Sequence, residues 1–252
     1  MLWLLEDVKT VSLANLWPLL PWISEERRSR VRSMKHEPTQ VQSILAELLL
    51  RYALREEYGR KGLPVIQTEK QGKPFFTELP ETHFNLSHCA AAVACALDAA
   101  PVGIDVQEYR SFRGSSGLMP APNSEKGSVE GSRDRHCLPT PPVYRILSEP
   151  ERAWVEAGGT PDEQDRRFVA VWTCKEAYGK ETGHGILYDL EQTSFLPRSG
   201  EWVQYGRRFY HHAASDYALT LCTLEDGSTR KKPVVPMVVL LEDLLKTVTS
   251  GY

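Results

Sequence analysis

The chain has 252 residues, 41% of them hydrophobic and 25% charged, with a formal net charge of −3. That length admits one large domain or two modest halves around a substantial core, and the near-balanced charge carries no mark of a general nucleic-acid binder. Five cysteines, Cys89, Cys95, Cys137, Cys174 and Cys222, are widely spaced and free of any CxxC pair, which argues against a disulfide framework or a zinc site and marks them as small core residues.

The opening MLWLLEDVKTVSLANLWPLL is apolar, lacks a basic leader, and is interrupted by Glu6, Asp7 and Lys9 well short of a membrane span. It is expected to form a first strand and loop of a cytoplasmic protein. Pro38 at a first-turn position, apolar residues at helical spacing and Gly59 as a stop predict a long helix over residues 38 to 58. HFNLSH, AAVACALD and VGIDVQ follow as strands. From Ser111 to Pro142 the sequence turns rich in Gly, Ser and Pro, with too few large apolar residues to offset the cost of ordering. The expectation is a mobile surface insertion at 110 to 142, separating halves at 1 to 109 and 143 to 252. The second half offers a short helix at EPERAWVEA and a long one from Asp162 to Glu181, ended by Gly183. EWVQYGRRFYHH and DYALTLCTL then read as paired strands, and VVPMVVLLEDLLKTV as a strand running into a terminal helix. No tandem repeat is visible, and the class is α+β.

Within the second long helix, Lys175 and Glu176 are the only charges between Phe168 and Tyr178. A buried charge is costly unless it is paired, hydrogen-bonded or bound to a metal. Trp172, Glu176 and Lys180 are four apart and share one side, with Lys175 about a quarter turn away. A structural account makes Glu176 and Lys180 an ordinary i, i+4 pair and lets Lys175 reach water along its stem. A functional account starts from Asp105, a carboxylate in the apolar run GIDVQ. Strand alternation sends Asp105 and Gln107 to one face, and Asp105 with Glu176 matches the few carboxylates by which proteins hold Mg²⁺. The alternative for Asp105 is a side chain satisfied by backbone amides at a strand end.

A third signal is basic. SEERRSRVRSMKH carries Arg27, Arg28, Arg30, Arg32 and Lys35, and KQGKP adds Lys70 and Lys73 beside a glycine that allows close approach to the backbone. Such clusters suit phosphates, although a solvated helix with Glu25 and Glu26 as partners explains the first equally simply. Ser87 and His88 end a strand, where they suit a phosphate or nucleotide or act as structural groups.

In this order, ISEERRSRVRS, GKP, FNLSH, GIDVQ, LSEPE and WTCKEAYGK resemble the 4′-phosphopantetheinyl transferases of the surfactin-synthetase-activating type. The last segment is similar to the family's W-x-x-K-E-A-x-x-K signature. The resemblance implies a pseudo-twofold monomer of two similar α+β halves, each a long helix against an antiparallel sheet, with coenzyme A and Mg²⁺ in the cleft between them. It implies that Asp105, Gln107, Glu151 and Glu176 form the metal environment and that Asp105, Glu176 and Lys180 are catalytic. Arg27, Arg30, Ser43, Gly72, Lys73, Pro74, Ser87, His88 and Lys180 are implied to contact coenzyme A. The partners implied are apo acyl or peptidyl carrier proteins, with no nucleic acid or membrane.

Gln107 stands where many members have Glu, and Val41 and Gln42 where relatives often carry His and Arg. The expected reaction is attack by a carrier serine on the β-phosphate of coenzyme A, with 3′,5′-ADP leaving. Two rivals are a non-catalytic homologue that binds coenzyme A or a carrier, and a metal-dependent phosphohydrolase.

Overall fold

The chain opens as β1 (Leu2–Leu5), whose four residues are all buried. The structure, a computed structural model, describes residues 1–70, 72–109, 146–184, 193–225 and 234–250; the expected insertion at 110 to 142 and Cys137 lie outside the described residues. The segment expected as a loop after β1 instead folds into 3₁₀ turns at Val8–Thr10 and Trp17–Trp22 around a one-turn helix, α1 (Leu13–Leu16), capped by Ser12. Helix α2 (Glu25–Ser33) is started by Ser24, whose hydroxyl accepts from the Arg27 amide. The expected helix is α3 (Glu37–Tyr58), with Pro38 in its first turn and Gly59 as its stop.

A hairpin of β2 (Ile66–Thr68) and β3 (Pro74–Phe76) was not foreseen, since three-residue strands are too short to show alternation. Then come β4 (His83–His88), β5 (Val93–Asp98) and β6 (Val102–Glu108), as expected. The second half contains α4 (Glu149–Glu156), α5 (Pro161–Thr182), β7 (Gly200–Gln204), β8 (Arg207–Ala213), β9 (Tyr217–Leu224), β10 (Met237–Val238) and α6 (Leu241–Thr249). Thr160 caps α5 by accepting from the Glu163 amide, and Gly183 ends it.

Two four-stranded sheets result, ordered β10-β1-β5-β4 and β6-β9-β8-β7, antiparallel except where β10 runs parallel to β1. Alternation sets their stacking. Trp3, Leu5, Val93, Cys95 and Leu97 face α3. Leu2, Leu4, Ala94 and Ala96 face the other way, against Val102, Ile104, Val106, Leu219 and Leu221 of the second sheet. That sheet's far side, with Phe209, Ala218 and Cys222, packs beneath Phe168, Val171, Cys174 and Ala177 of α5. The layers therefore run helix, sheet, sheet, helix, each sheet burying both faces. All four described cysteines are buried and free.

The division at 143 to 252 needs one correction. The last segment packs with the first half: β10 pairs with β1, the Val239 amide donates to Leu4 at 2.8 Å, and Leu244 and Val248 join the core around α3. Arg55 of α3 also donates to the Thr247 carbonyl. An edge position on β1 and an apolar strip on α3 are available there, and an amphipathic terminal helix buries its apolar side against them.

Candidate active site

Strands β4 and β6 are the end strands of their sheets, and they lie edge to edge. Pairing of β6 with β9 leaves alternate backbone groups of β6 facing outward, and side chains from β4 take them up. The Ile104 amide donates to Asn85 Oδ1 at 2.9 Å and the Val106 amide to Ser87 Oγ at 3.1 Å. Asn85 and Ser87 share a face of β4 because they are two apart, which FNLSH displays but composition does not flag.

Gly103, Asp105 and Gln107 turn to the α5 side of β6. A Cβ at Gly103 would sit 2.1 Å from the Ala177 carbonyl oxygen and 2.4 Å from the Glu181 amide nitrogen. Only glycine allows α5 to lie this close, and the contact brings Lys180 beside Asp105. Asp105 is 2% exposed. Its Oδ1 accepts from Ser87 Oγ at 2.9 Å and from Lys180 Nζ at 2.7 Å, while its Oδ2 is buried and has no partner. Lys180 also donates to the Ile104 carbonyl at 3.0 Å and lies 3.4 Å from Ser87 Oγ. The i, i+4 pairing of Glu176 with Lys180 is therefore replaced by a pairing across to β6.

Glu176 is buried and makes no side-chain hydrogen bond or ion pair among the described residues. Burial first, and the Asp105 charge second, push its carboxyl up to about 7, with Lys180 opposing. Two acids thus share a dry corner with one ammonium between them, and one carboxylate oxygen is left bare. Buried acceptors are otherwise almost always satisfied, so this corner suits a further cation. Gln107, two residues along the same face, is half-buried and makes no side-chain hydrogen bond among the described residues.

Glu151 departs from the implied metal set. It is fully buried, its Oε2 accepting from the Ser148 amide at 2.7 Å and its Oε1 from the Phe195 amide at 2.7 Å. Lys175 Nζ lies 3.0 Å from Oε2 and also donates to the Thr193 carbonyl at 2.7 Å. With its acceptors committed, Glu151 caps α4 and neutralises Lys175. Nor does Lys175 reach water: it is 1% exposed. Among the described residues no three His, Cys, Asp or Glu side chains converge as a metal cluster, so the protein's acidic contribution at the corner is Asp105 and Glu176.

Around this corner the basic residues divide. Arg27 Nε pairs with buried Glu47 at 3.0 Å and its Nη1 donates to Ser43 Oγ at 3.2 Å, which leaves Ser43 covered. Arg28 pairs with Glu25. Arg30 is exposed and forms no ion pair among the described residues. His88 lies 3.1 Å from Gln42 Oε1 through Nδ1; burial first, then the cations of Arg27, Lys180 and Arg30, lower its pKa. Val41 is buried in the α3 core, so it contributes packing there. A cavity of about 420 Å³ opens alongside, lined by Val8, Lys9, Val11, Pro38, Val41 and Gln42 among others.

At the other end of β4, Lys73 donates to the Glu181 carbonyl at 2.6 Å, and burial lowers its pKa against the Glu181 charge. Gly72 beside it has φ of +91° and nothing within 4 Å of a Cβ. Turn geometry, rather than close approach, explains that glycine. Pro74 opens β3. The structure thus gathers Ser87, Asp105, Glu176 and Lys180, sets His88, Arg27 and Arg30 on one flank, and places Lys73 at the C-terminal end of α5. Gly103 and Asn85 are the site-forming residues that sequence reasoning missed.

Residues 129–222 match the model of the 4'-phosphopantetheinyl transferase superfamily, a stretch that includes Glu176 and Lys180 and begins after β6, so it leaves out Asp105. A 4'-phosphopantetheinyl transferase from Bacillus pumilus, psf-1, is 29% identical over 78% of this chain and 72% of its own length. The 4'-phosphopantetheinyl transferase Sfp of Bacillus subtilis is 27% identical over 69% of this chain and 66% of its own. A 4'-phosphopantetheinyl transferase from Paxillus involutus, pptA, is 25% identical over 70% of this chain and 65% of its own length. In these matches, and in a corner where Glu176 and Lys180 meet Asp105 with its unpartnered Oδ2, the chain is similar to the 4'-phosphopantetheinyl transferase superfamily.

Proposed function

We propose that this protein transfers the 4′-phosphopantetheine group of coenzyme A to a serine hydroxyl of an apo acyl or peptidyl carrier protein and releases 3′,5′-ADP. The observation that carries this reading is the unpartnered, buried Asp105 Oδ2 beside Glu176, at a corner flanked by Lys180, His88 and Arg30. Two 22-residue helices, each over a four-stranded sheet, support the pseudo-twofold pair of halves, with the cleft at the meeting of β4 and β6. A monomer acting in the cytoplasm fits this reading; no described helix is long and apolar enough to cross a membrane.

Asp105 through Oδ2 and Glu176 would hold Mg²⁺, with Gln107 beside them. When bound, the ion supplies Lewis-acid neutralisation of the phosphate oxygens. The protein's own groups do the rest. Ser87 holds Asp105 in place through its hydroxyl. Lys180 and Arg30 give the pyrophosphate two cations, and Lys73 meets the nucleotide end. The serine oxygen attacks the β-phosphorus, the bond from that phosphorus to the oxygen bridging it to the α-phosphate breaks, and Glu176 accepts the serine proton. Alignment and charge neutralisation are the chief demands of such a transfer.

The test is loading of apo carrier proteins from coenzyme A with enzyme far below carrier concentration, followed by mass spectrometry. Many holo carriers per enzyme support the proposal. Binding without turnover across a panel of carriers would indicate a non-catalytic homologue. Release of 3′,5′-ADP without a carrier would indicate a phosphohydrolase.

A further inference from the structure

Lys180 is placed unlike a side chain waiting for a phosphate. Its ammonium sits among three oxygens of different kinds: Asp105 Oδ1 at 2.7 Å, the Ile104 carbonyl at 3.0 Å and Ser87 Oγ at 3.4 Å. A carboxylate, a carbonyl and a hydroxyl are the donor types that hard cations select. Its helix neighbour Glu176 stands at the favourable i, i+4 spacing, yet Lys180 forms its ion pair with Asp105. Its side chain remains 28% exposed, so a way out stays open along the flexible stem.

We propose that the Lys180 ammonium is the built-in cation of the Asp105 corner, seated there before a divalent ion arrives and displaced when the ion binds. The inference rests on the metal reading of Asp105 and Glu176. Its physical basis is charge. An ammonium on one carboxylate oxygen lowers the pull of the other on a second cation, and the two cations repel at a few ångströms. A divalent ion alone must therefore dislodge Lys180 without providing it a new anion. Coenzyme A supplies that anion, because its phosphates give the released ammonium a partner. Ion and coenzyme A then bind with positive coupling, and the coupling passes through one side chain. The seated ammonium keeps the buried corner neutralised in the empty enzyme, where an unpaired Asp105 would be costly.

Mn²⁺ binding, followed by electron paramagnetic resonance with and without coenzyme A and in the absence of carrier, tests this directly. Wild type should bind Mn²⁺ weakly alone and about tenfold or more tightly with coenzyme A. Lys180→Met should bind Mn²⁺ alone about tenfold more tightly than wild type, with the gain from coenzyme A reduced by a similar factor, whereas Lys180→Arg should retain weak binding. Unchanged or weaker Mn²⁺ binding in Lys180→Met would overturn the proposal. Should that variant fail to fold, acylation of Lys180 in the wild-type protein, read by peptide mass spectrometry, replaces it. Mn²⁺ should raise labelling several-fold, and unaltered labelling would equally defeat the idea. Asp105→Asn separates the two levels. Mn²⁺ binding by that variant equal to wild type overturns the metal reading itself, whereas lost binding with no Lys180 effect overturns only the displacement.

Discussion

Lys175 and Glu176 are adjacent on one helix, both buried, and belong to opposite kinds of environment. Lys175 meets a carboxylate whose two oxygens are already bonded to the Ser148 and Phe195 amides, and it adds the Thr193 carbonyl as a second acceptor. Both oxygens of the Glu151 carboxylate and the Lys175 ammonium have partners there. Glu176 faces Asp105, a like charge, and the corner holds a buried oxygen with none. The contrast separates two uses of buried charge: a saturated network fixes a helix end, and an unsaturated one stores affinity for something not yet bound.

The strongest challenge to this contrast is Glu151→Ala. It strands the Lys175 ammonium in the core and removes the acceptor of two amides, so it should destabilise the fold by about 3–5 kcal/mol, read by urea unfolding. A loss below about 1 kcal/mol would break the structural assignment of Glu151. Asp105→Asn preserves volume and should lower carrier loading at least about 100-fold, equivalent to about 2.7 kcal/mol of barrier, with unfolding midpoints close to wild type. Near-normal loading would remove the corner from the chemistry.

The pH behaviour of the metal-free protein sharpens the comparison. Glu176 has its folded pKa raised from the ordinary 4.5 to about 7. Relative to its ionised state, it therefore favours the fold fully below about pH 4.5, and that contribution is lost as pH rises through about 7. With chelator present, Glu176→Gln should be more stable than wild type at pH 8, by on the order of 2 kcal/mol, and nearly equal to it at pH 4. Equal stability at both pH values would mean that neither burial nor the Asp105 charge strains the ionised Glu176. The smallest effect expected is in Gln107→Glu, which adds a negative charge beside Asp105. The Mg²⁺ concentration for half-maximal loading should fall a few-fold, while the maximal rate need not rise. An unchanged Mg²⁺ titration would mean that residue 107 points away from the ion.

What the sequence alone determined is whatever depends on neighbours along the chain. Helical spacing and a glycine stop located α3 and α5, with a proline start for α3 as well, and short strand-like apolar runs located β4, β5, β6 and β9. The same local logic put Asp105 and Gln107 on one face of a strand and singled out the charged pair in α5. It did not locate the β2–β3 hairpin or the 3₁₀ turns, which are shorter than the patterns that would reveal them. Only the tertiary structure decided which charge serves which purpose, because a carboxylate's role depends on who occupies its oxygens. Glu151 was expected at the metal and is taken by two amides and Lys175, from residues up to 44 positions away. Lys180 was expected against phosphate and rests on Asp105, 75 residues earlier in the chain. Gly103 permits that meeting, and its necessity appears only when Ala177 and Glu181 of another element are seen 2.1 and 2.4 Å from where a side chain would begin. Such contacts are set by packing between layers, which no run of consecutive residues encodes.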